Sequence, residues 1–145
     1  MRQIGGLVGG FFIGAFAAGL AAGALSVYVF EQFDPKFSGA PDIAFEVEFI
    51  GAVMIAFLGT LILALVAGIW RIFHSGRPFA LKHSLVVGVC SGAVFVCLPW
   101  AVETALESRL TYESWLYSVV VWLYLLIYPL LVFTWALRRA GPDTA

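Results

Sequence analysis

Four long apolar stretches without Asp, Glu, Lys, Arg or His constrain the fold of this chain more than any other feature. They run over 4–30, 49–70, 84–102 and 115–137. Each is close to or above the roughly 20 residues that a helix needs to cross the hydrocarbon core of a bilayer. None alternates apolar and polar residues, which favours helices over barrel strands. We therefore predict an all-α polytopic membrane protein, a bundle of four transmembrane helices that forms a single membrane domain over 1–145.

The composition excludes most other classes. The chain is 62% hydrophobic before its 15 glycines are counted, and only 12% charged. Soluble domains are about 45–50% apolar with glycine included and about 25% charged. A soluble chain of this size could not bury so much apolar surface. We expect the lipid bilayer to surround the protein, and we expect neither a soluble enzyme nor a nucleic-acid binder.

The distribution of basic residues predicts the orientation. Six of the eight lie at the N-terminus, between the second and third stretches, and at the C-terminus: Arg2, Arg71, Arg77, Lys82, Arg138 and Arg139. Only Lys36 and Arg109 lie in the other two connections, and eight of the nine acidic residues share those connections with them. Since positive charge favours the cytoplasmic side, both termini are expected in the cytoplasm, in a bacterial-type inner membrane.

The N-terminal stretch resembles a secretory signal peptide, because Ala22-Gly23-Ala24 could form a small-residue cleavage site. Its apolar run over 4–30 exceeds the roughly 7–15 residues of a usual signal-peptide core, so we expect it to remain as the first span. Pro41 predicts the start of the second helix and Pro78 the start of the third. The segment 31–40 is expected to be a loop, and the fourth helix should end after two arginines, near Gly141.

Small residues recur every four positions on one face of the first span, in the pattern of a glycine zipper: Gly6, Gly10, Gly14, Ala18 and Ala22. The third span has two further small residues at the same spacing, Gly88 and Gly92. We call these seven positions together the small-residue face. Such spacing is typical of close helix packing. Three interpretations remain open at this point: packing within the chain, docking of another membrane subunit or a second copy, and a pore lined by glycine.

Aromatic residues dominate the fourth span. Tyr117 and Tyr124 are seven residues apart and Tyr128 follows four later, so the three share a narrow arc of the helix. Phenolic hydroxyls near the bilayer centre need hydrogen-bond partners. Thr60, Ser91 or a backbone carbonyl could supply them. The alternative is a wall for an apolar ligand such as a quinone, a pigment or a lipid.

The remaining polar residues indicate no catalytic or metal site. His74 and His83 lie in the connection between the second and third spans, where no further ligand accompanies them. Cys90 and Cys97 are seven residues apart, or about 10 Å along a helix, which is too far for a disulfide, and we expect both to be small buried side chains. We expect no catalytic residues, no metal and no cofactor. Asp42, Glu46 and Glu48 could bind a cation, since hard cations need several oxygen ligands, but we expect a solvated surface or a basic partner instead.

These features together predict a non-catalytic accessory or structural subunit of a larger membrane complex, docked through its glycine-rich first helix. In length and number of spans alone, the chain resembles the small membrane subunits of tripartite solute carriers, which support a larger permease. The alternatives are a homo-oligomeric channel or small-solute transporter component, and a binder of an apolar ligand. Its partners would be other membrane subunits or copies of itself.

Overall fold

In the residues that it describes, the computed structural model of the protein has four helices. It describes the backbone of residues 2–33, 41–74, 79, 81–105 and 115–139, and the side chains of 2–25, 28, 49–74, 79, 81–99, 101–102 and 118–139. Helix α1 spans Arg2–Phe33, α2 spans Pro41–Phe73, α3 spans Ser84–Ala105 and α4 spans Trp115–Arg139. The prediction of an all-helical fold is confirmed for the described part of the chain.

Three of these helices contain segments long and apolar enough to cross a membrane: Arg2–Leu25, Phe49–Phe73 and Ser118–Arg139. The corresponding segment of α3, Ser84–Pro99, is shorter. The whole of α3 has 22 residues, which at 1.5 Å per residue gives a length of about 33 Å.

Two helix ends agree with the sequence and two do not. Helix α2 begins at Pro41, and the last turn of α4 contains both arginines, as predicted. Helix α1 continues to Phe33, so the expected loop begins later than residue 31. The reason is that the first helix-breaking residue in this segment is Pro35, and the position before a proline disfavours helix. The expected contribution of Gly141 lies outside the described residues.

Helix α3 begins at Ser84, and the predicted start at Pro78 is wrong. Phe79 and Leu81 are non-helical and buried, with 5% and 7% of their surfaces exposed. Their burial holds the chain in an irregular path before the helix. The Val87 N–H then donates to the His83 carbonyl at 3.0 Å, which makes His83 the capping residue of α3.

Glycines bring the backbones of α1 and α3 into direct contact. A Cβ built on Gly10 would meet the carbonyl oxygen of Leu85 and lie 3.1 Å from the Val89 nitrogen. A Cβ on Gly92 would meet the Phe11 carbonyl and lie 2.9 Å from the Ala15 nitrogen. Only residues without a Cβ fit such a contact between two backbones.

The pairs along this contact show that α1 and α3 run parallel. Gly6 faces Ser84, and one turn further Gly10 faces Gly88. A step of four residues in α1 therefore matches a step of four in α3, in the same direction. Residues near the start of α1 lie level with residues near the start of α3.

The other contacts fix the remaining directions. Tyr124 and Tyr128 of α4 donate to the carbonyls of Phe95 and Ser91 of α3, so a forward step of four in α4 matches a backward step of four in α3. The Trp70 ring, near the end of α2, contacts the Phe133 ring, near the end of α4. The bundle therefore alternates in direction, and the start of α1 and the end of α4 lie at the same end.

We expect replacement of Gly10 by alanine to destabilise the fold and replacement of its neighbour Gly9 to leave it intact. The Gly10→Ala methyl would overlap the Leu85 backbone, a clash that typically costs about 1–3 kcal/mol. A Cβ on Gly9 meets no atom within 4 Å, so Gly9→Ala should leave stability unchanged or raise it slightly, because alanine favours helix. Equilibrium unfolding of the detergent-solubilised variants measures the difference. Equal stability of the two variants would contradict the packing of α1 on α3.

Candidate functional site

Four aromatic rings form a continuous cluster between α1, α3 and α4. We call Phe11, Phe95, Tyr124 and Tyr128 the aromatic cluster. The Phe95 ring stacks on Tyr124 with a centroid distance of 5.2 Å and an interplanar angle of 7°. It also lies 5.0 Å from Tyr128 and 5.2 Å from Phe11. Phe95 and Phe11 are completely buried, so this cluster is the centre of the bundle.

The two tyrosine hydroxyls of this cluster are hydrogen-bonded to the backbone of α3. Tyr124 donates to the Phe95 carbonyl and Tyr128 donates to the Ser91 carbonyl, each at 2.8 Å. The Phe95 carbonyl has no helical donor four residues on, because Pro99 lacks an N–H, so the Tyr124 hydroxyl takes that place. The Ser91 carbonyl can accept from Tyr128 beside its helical bond, since its oxygen has two lone pairs. The acceptor is thus a backbone carbonyl, one of the partners that the sequence left open.

The other hydroxyl groups in this region are bonded within their own helices. Thr60 donates to the Ala56 carbonyl at 2.7 Å, and the Ser91 hydroxyl donates to the Gly88 carbonyl at 3.0 Å. Among the described residues, no buried side-chain nitrogen or oxygen lacks a hydrogen-bond partner. The buried polar side-chain atoms of the described residues are thus satisfied within the chain.

The wall proposed for an apolar ligand is therefore built into the packing of α3 and α4. Tyr124 and Tyr128 direct their hydroxyls to α3, and their rings contact Phe95. A ligand that binds between these rings and α3 would have to displace both hydrogen bonds. The side chain of Tyr117, the third residue of the wall, lies outside the described residues.

The small-residue face lies mostly at the α1–α3 contact. Gly6, Gly10 and Gly14 face α3, and Gly88 and Gly92 face α1. On α1, Ala18 is buried and Ala22 is half-buried. The face is therefore covered within the chain, and a partner could reach its glycines only by displacing a helix.

The opposite side of α1 is open. A Cβ on Gly5 or Gly9 would meet no atom within 4 Å. Phe12, Phe16 and Leu20 are each about 40% exposed on this helix, at 38%, 37% and 41%. This outward surface, which includes two glycines without a packing role in the chain, is what α1 presents to its surroundings.

A second aromatic group, which the sequence did not predict, closes one end of the bundle. We call Trp70, Phe79 and Phe133 the end cluster. Trp70 lies 6.1 Å from Phe79 and 6.0 Å from Phe133, edge to face, and the Phe79 and Phe133 rings stack at 6.0 Å. The signal in the sequence was the pair Phe79 and Leu81, which are apolar residues within an otherwise basic connection.

The other candidate residues are mostly at the surface. Cys90 and Cys97 are free and exposed, so the expectation that they are buried is wrong. Because α3 turns Gly88 and Gly92 toward α1, Cys90 falls on another side of the helix. The His74 ring stacks on Trp70 at 5.0 Å, and His83 is exposed. The described residues contain no group of three or more side chains that could bind a metal.

The acidic residues Asp42, Glu46 and Glu48 have side chains outside the described part of the chain.

No protein family, curated protein or solved structure matches the sequence. The function must therefore be inferred from the geometry of the helices themselves.

Removal of either tyrosine hydroxyl should weaken the attachment of α4 to α3 without unfolding the bundle. Interhelical hydrogen bonds in membrane proteins average about 0.6 kcal/mol and reach about 1.7 kcal/mol, so Tyr124→Phe and Tyr128→Phe should each lose stability within that range. Tyr28→Phe is the matched control, because Tyr28 is 59% exposed on α1. Equilibrium unfolding in detergent measures all three, and an equal loss in the control would contradict the role of the two hydroxyls.

Proposed function

We propose that the protein is a non-catalytic accessory subunit of a larger complex in a bacterial-type inner membrane. The observation that supports this best is the use of the polar groups inside the bundle. Tyr124 and Tyr128 donate to α3 carbonyls, and Thr60 and Ser91 donate to carbonyls of their own helices. These groups contribute to structure, which suits a subunit that supports another protein.

We further propose that α3 is a fourth span. It is parallel to α1, with Ser84 beside Gly6 and Gly88 beside Gly10. At this constant offset, α3 over 84–105 lies level with α1 over 6–27, which covers almost the whole of the apolar segment Arg2–Leu25. A helix so paired with a membrane span shares its depth in the bilayer.

The direction of the helices supports both termini on the cytoplasmic side. The start of α1, the end of α2, the start of α3 and the end of α4 lie at one end of the bundle, and six of the eight Lys and Arg residues belong to the segments that meet there. Such an excess of positive charge is typical of the cytoplasmic side of a membrane protein. The two remaining basic residues belong to the connections at the other end.

The docking surface of this proposal is the outward side of α1. The glycines of the small-residue face are covered by α3, whereas Gly5 and Gly9 face open space. Glycine in a helix interior costs roughly 0.5–1 kcal/mol relative to alanine. Close approach of a helix from another subunit would offset that cost, because glycine lets two backbones come together.

Labelling of single cysteines from each side of the membrane tests the topology. In a Cys90→Ala/Cys97→Ala background, Gln3→Cys and Arg139→Cys should react with an impermeant maleimide only from the cytoplasmic side. Glu107→Cys, in the connection between α3 and α4, should react only from the other side. Reaction of Arg139→Cys from the side opposite to Gln3→Cys would contradict a fourth span.

Native mass spectrometry of the protein extracted in mild detergent tests the accessory role. We expect a defined mass that contains other polypeptides. Gly9→Leu should release them, because its side chain would fill the outward side of α1. Gly68→Leu is the matched control, since a Cβ on Gly68 of α2 also meets nothing within 4 Å.

Three outcomes would contradict the proposal in different ways. A homo-oligomer alone, with solute flux in proteoliposomes, would favour the channel alternative. A monomer that carries a small apolar molecule would favour a ligand binder. Release of the partners by Gly68→Leu and not by Gly9→Leu would place the docking surface on α2.

A further inference from the structure

Basic side chains at or next to an end of each of the four helices lie at the same end of the bundle. Each lies at or next to the helix end that the packing places there. They are Arg2 on α1, Arg71 and His74 at the end of α2, Lys82 and His83 before α3, and Arg138 and Arg139 at the end of α4. All seven are exposed. We call this group the basic end.

The end cluster holds three of these segments together. Trp70 precedes Arg71, Phe79 precedes Lys82, and Phe133 precedes Arg138 by five residues, so contacts among the three rings fix the backbones that carry the charges. The Arg139 guanidinium lies 5.3 Å from the Trp135 ring centroid, a cation–π contact. The charges are therefore attached to a packed aromatic layer.

The described side chains of the basic end include no Asp or Glu that could neutralise it. In the sequence, eight of the nine acidic residues belong to the α1–α2 and α3–α4 connections or to the helix turns next to them, which the helix directions place at the other end of the bundle. Charges of one sign that are close together create a potential that attracts anions.

Large apolar side chains lie directly beside these charges. Ile72 and Phe73, the two residues after Arg71, are 75% and 79% exposed and are the most exposed large hydrophobic residues described. Trp135, beside Arg139, is 46% exposed. An anion in water would leave these side chains without a partner, whereas an amphiphile would contact both the charges and the apolar surface.

We propose that the basic end binds the phosphate groups of anionic phospholipids, with their acyl chains against the apolar sides of α2 and α4. This inference rests on the proposed membrane location and not on the accessory role. The phosphate would lie near Arg71 and Lys82, and the upper part of an acyl chain would lie along Ile72 and Phe73. Basic groups between helices at the cytoplasmic surface recognise lipid headgroups in this way.

Native mass spectrometry of the purified protein in micelles with equal amounts of phosphatidylglycerol and phosphatidylcholine tests the inference. The wild type should retain phosphatidylglycerol preferentially. Arg71→Gln/Lys82→Gln should weaken its association by about fivefold for each charge removed. Arg71→Lys/Lys82→Arg keeps both charges and should keep the preference.

The variant Lys36→Gln/Arg109→Gln is the matched control, because it removes the same charge from the other connections. A loss of lipid in this control equal to that in Arg71→Gln/Lys82→Gln would overturn the proposal. Equal retention of the two lipids by the wild type would overturn it as well. Displacement of the lipid by millimolar inorganic phosphate would show that the basic end selects free phosphate instead. The assay contains no partner protein, so its result is independent of whether the accessory role is correct.

Discussion

The backbone contact between α1 and α3 is the interaction on which the rest of the fold depends. Gly10 and Gly14 on one helix and Gly88 and Gly92 on the other let main-chain atoms touch over more than two turns. In a bilayer, lipid tails are as apolar as the helix surfaces, so the hydrophobic effect contributes little to helix association. Close van der Waals packing must therefore stabilise the association of the helices, and glycine permits the closest approach of their backbones.

This contact sets the position of the aromatic cluster. Phe11 follows Gly10 and Phe95 lies one turn beyond Gly92, so the α1–α3 pair brings both rings to the centre of the bundle. Tyr124 and Tyr128 then attach α4 to α3 through their rings and hydroxyls. Helix α4 approaches α3 mainly through these long side chains, whereas α1 approaches it through its backbone. The bundle thus combines a backbone contact between α1 and α3 with an aromatic side-chain contact between α3 and α4.

The sequence predicted the helices well because their causes are local. Long apolar stretches, Pro41 and the two arginines after Leu137 determine where helices form and end. The glycine spacing predicted a close contact, but the same spacing suits a helix of this chain or of another protein, so it could not identify the partner. The tyrosines predicted that their hydroxyls need hydrogen-bond acceptors. They could not predict which atoms accept, because that depends on the register of α3 and α4.

The residues whose burial or exposure the sequence did not predict depend on contacts between distant parts of the chain. The burial of Phe79 follows from the meeting of Trp70 and Phe133, which come from two different helices. The exposure of Cys90 and Cys97 follows from the side of α3 that the glycines turn toward α1. Composition and periodicity do not contain this information. The basic end also depends on such distant contacts, because the sequence shows its charges but not the aromatic end cluster that holds the charged segments together.

The parallel alignment of α1 and α3 sets the directions of all four helices, and distances between spin labels test it. In a Cys90→Ala/Cys97→Ala background, nitroxides at Leu25 and Val102 should lie side by side, because the constant offset places these residues level. Nitroxides at Arg2 and Val102 should be separated along the bundle by about 33 Å, the rise of 22 helical residues. Double electron–electron resonance measures both distances. A short Arg2–Val102 distance with a long Leu25–Val102 distance would show that the two helices are antiparallel and would contradict the bundle described above.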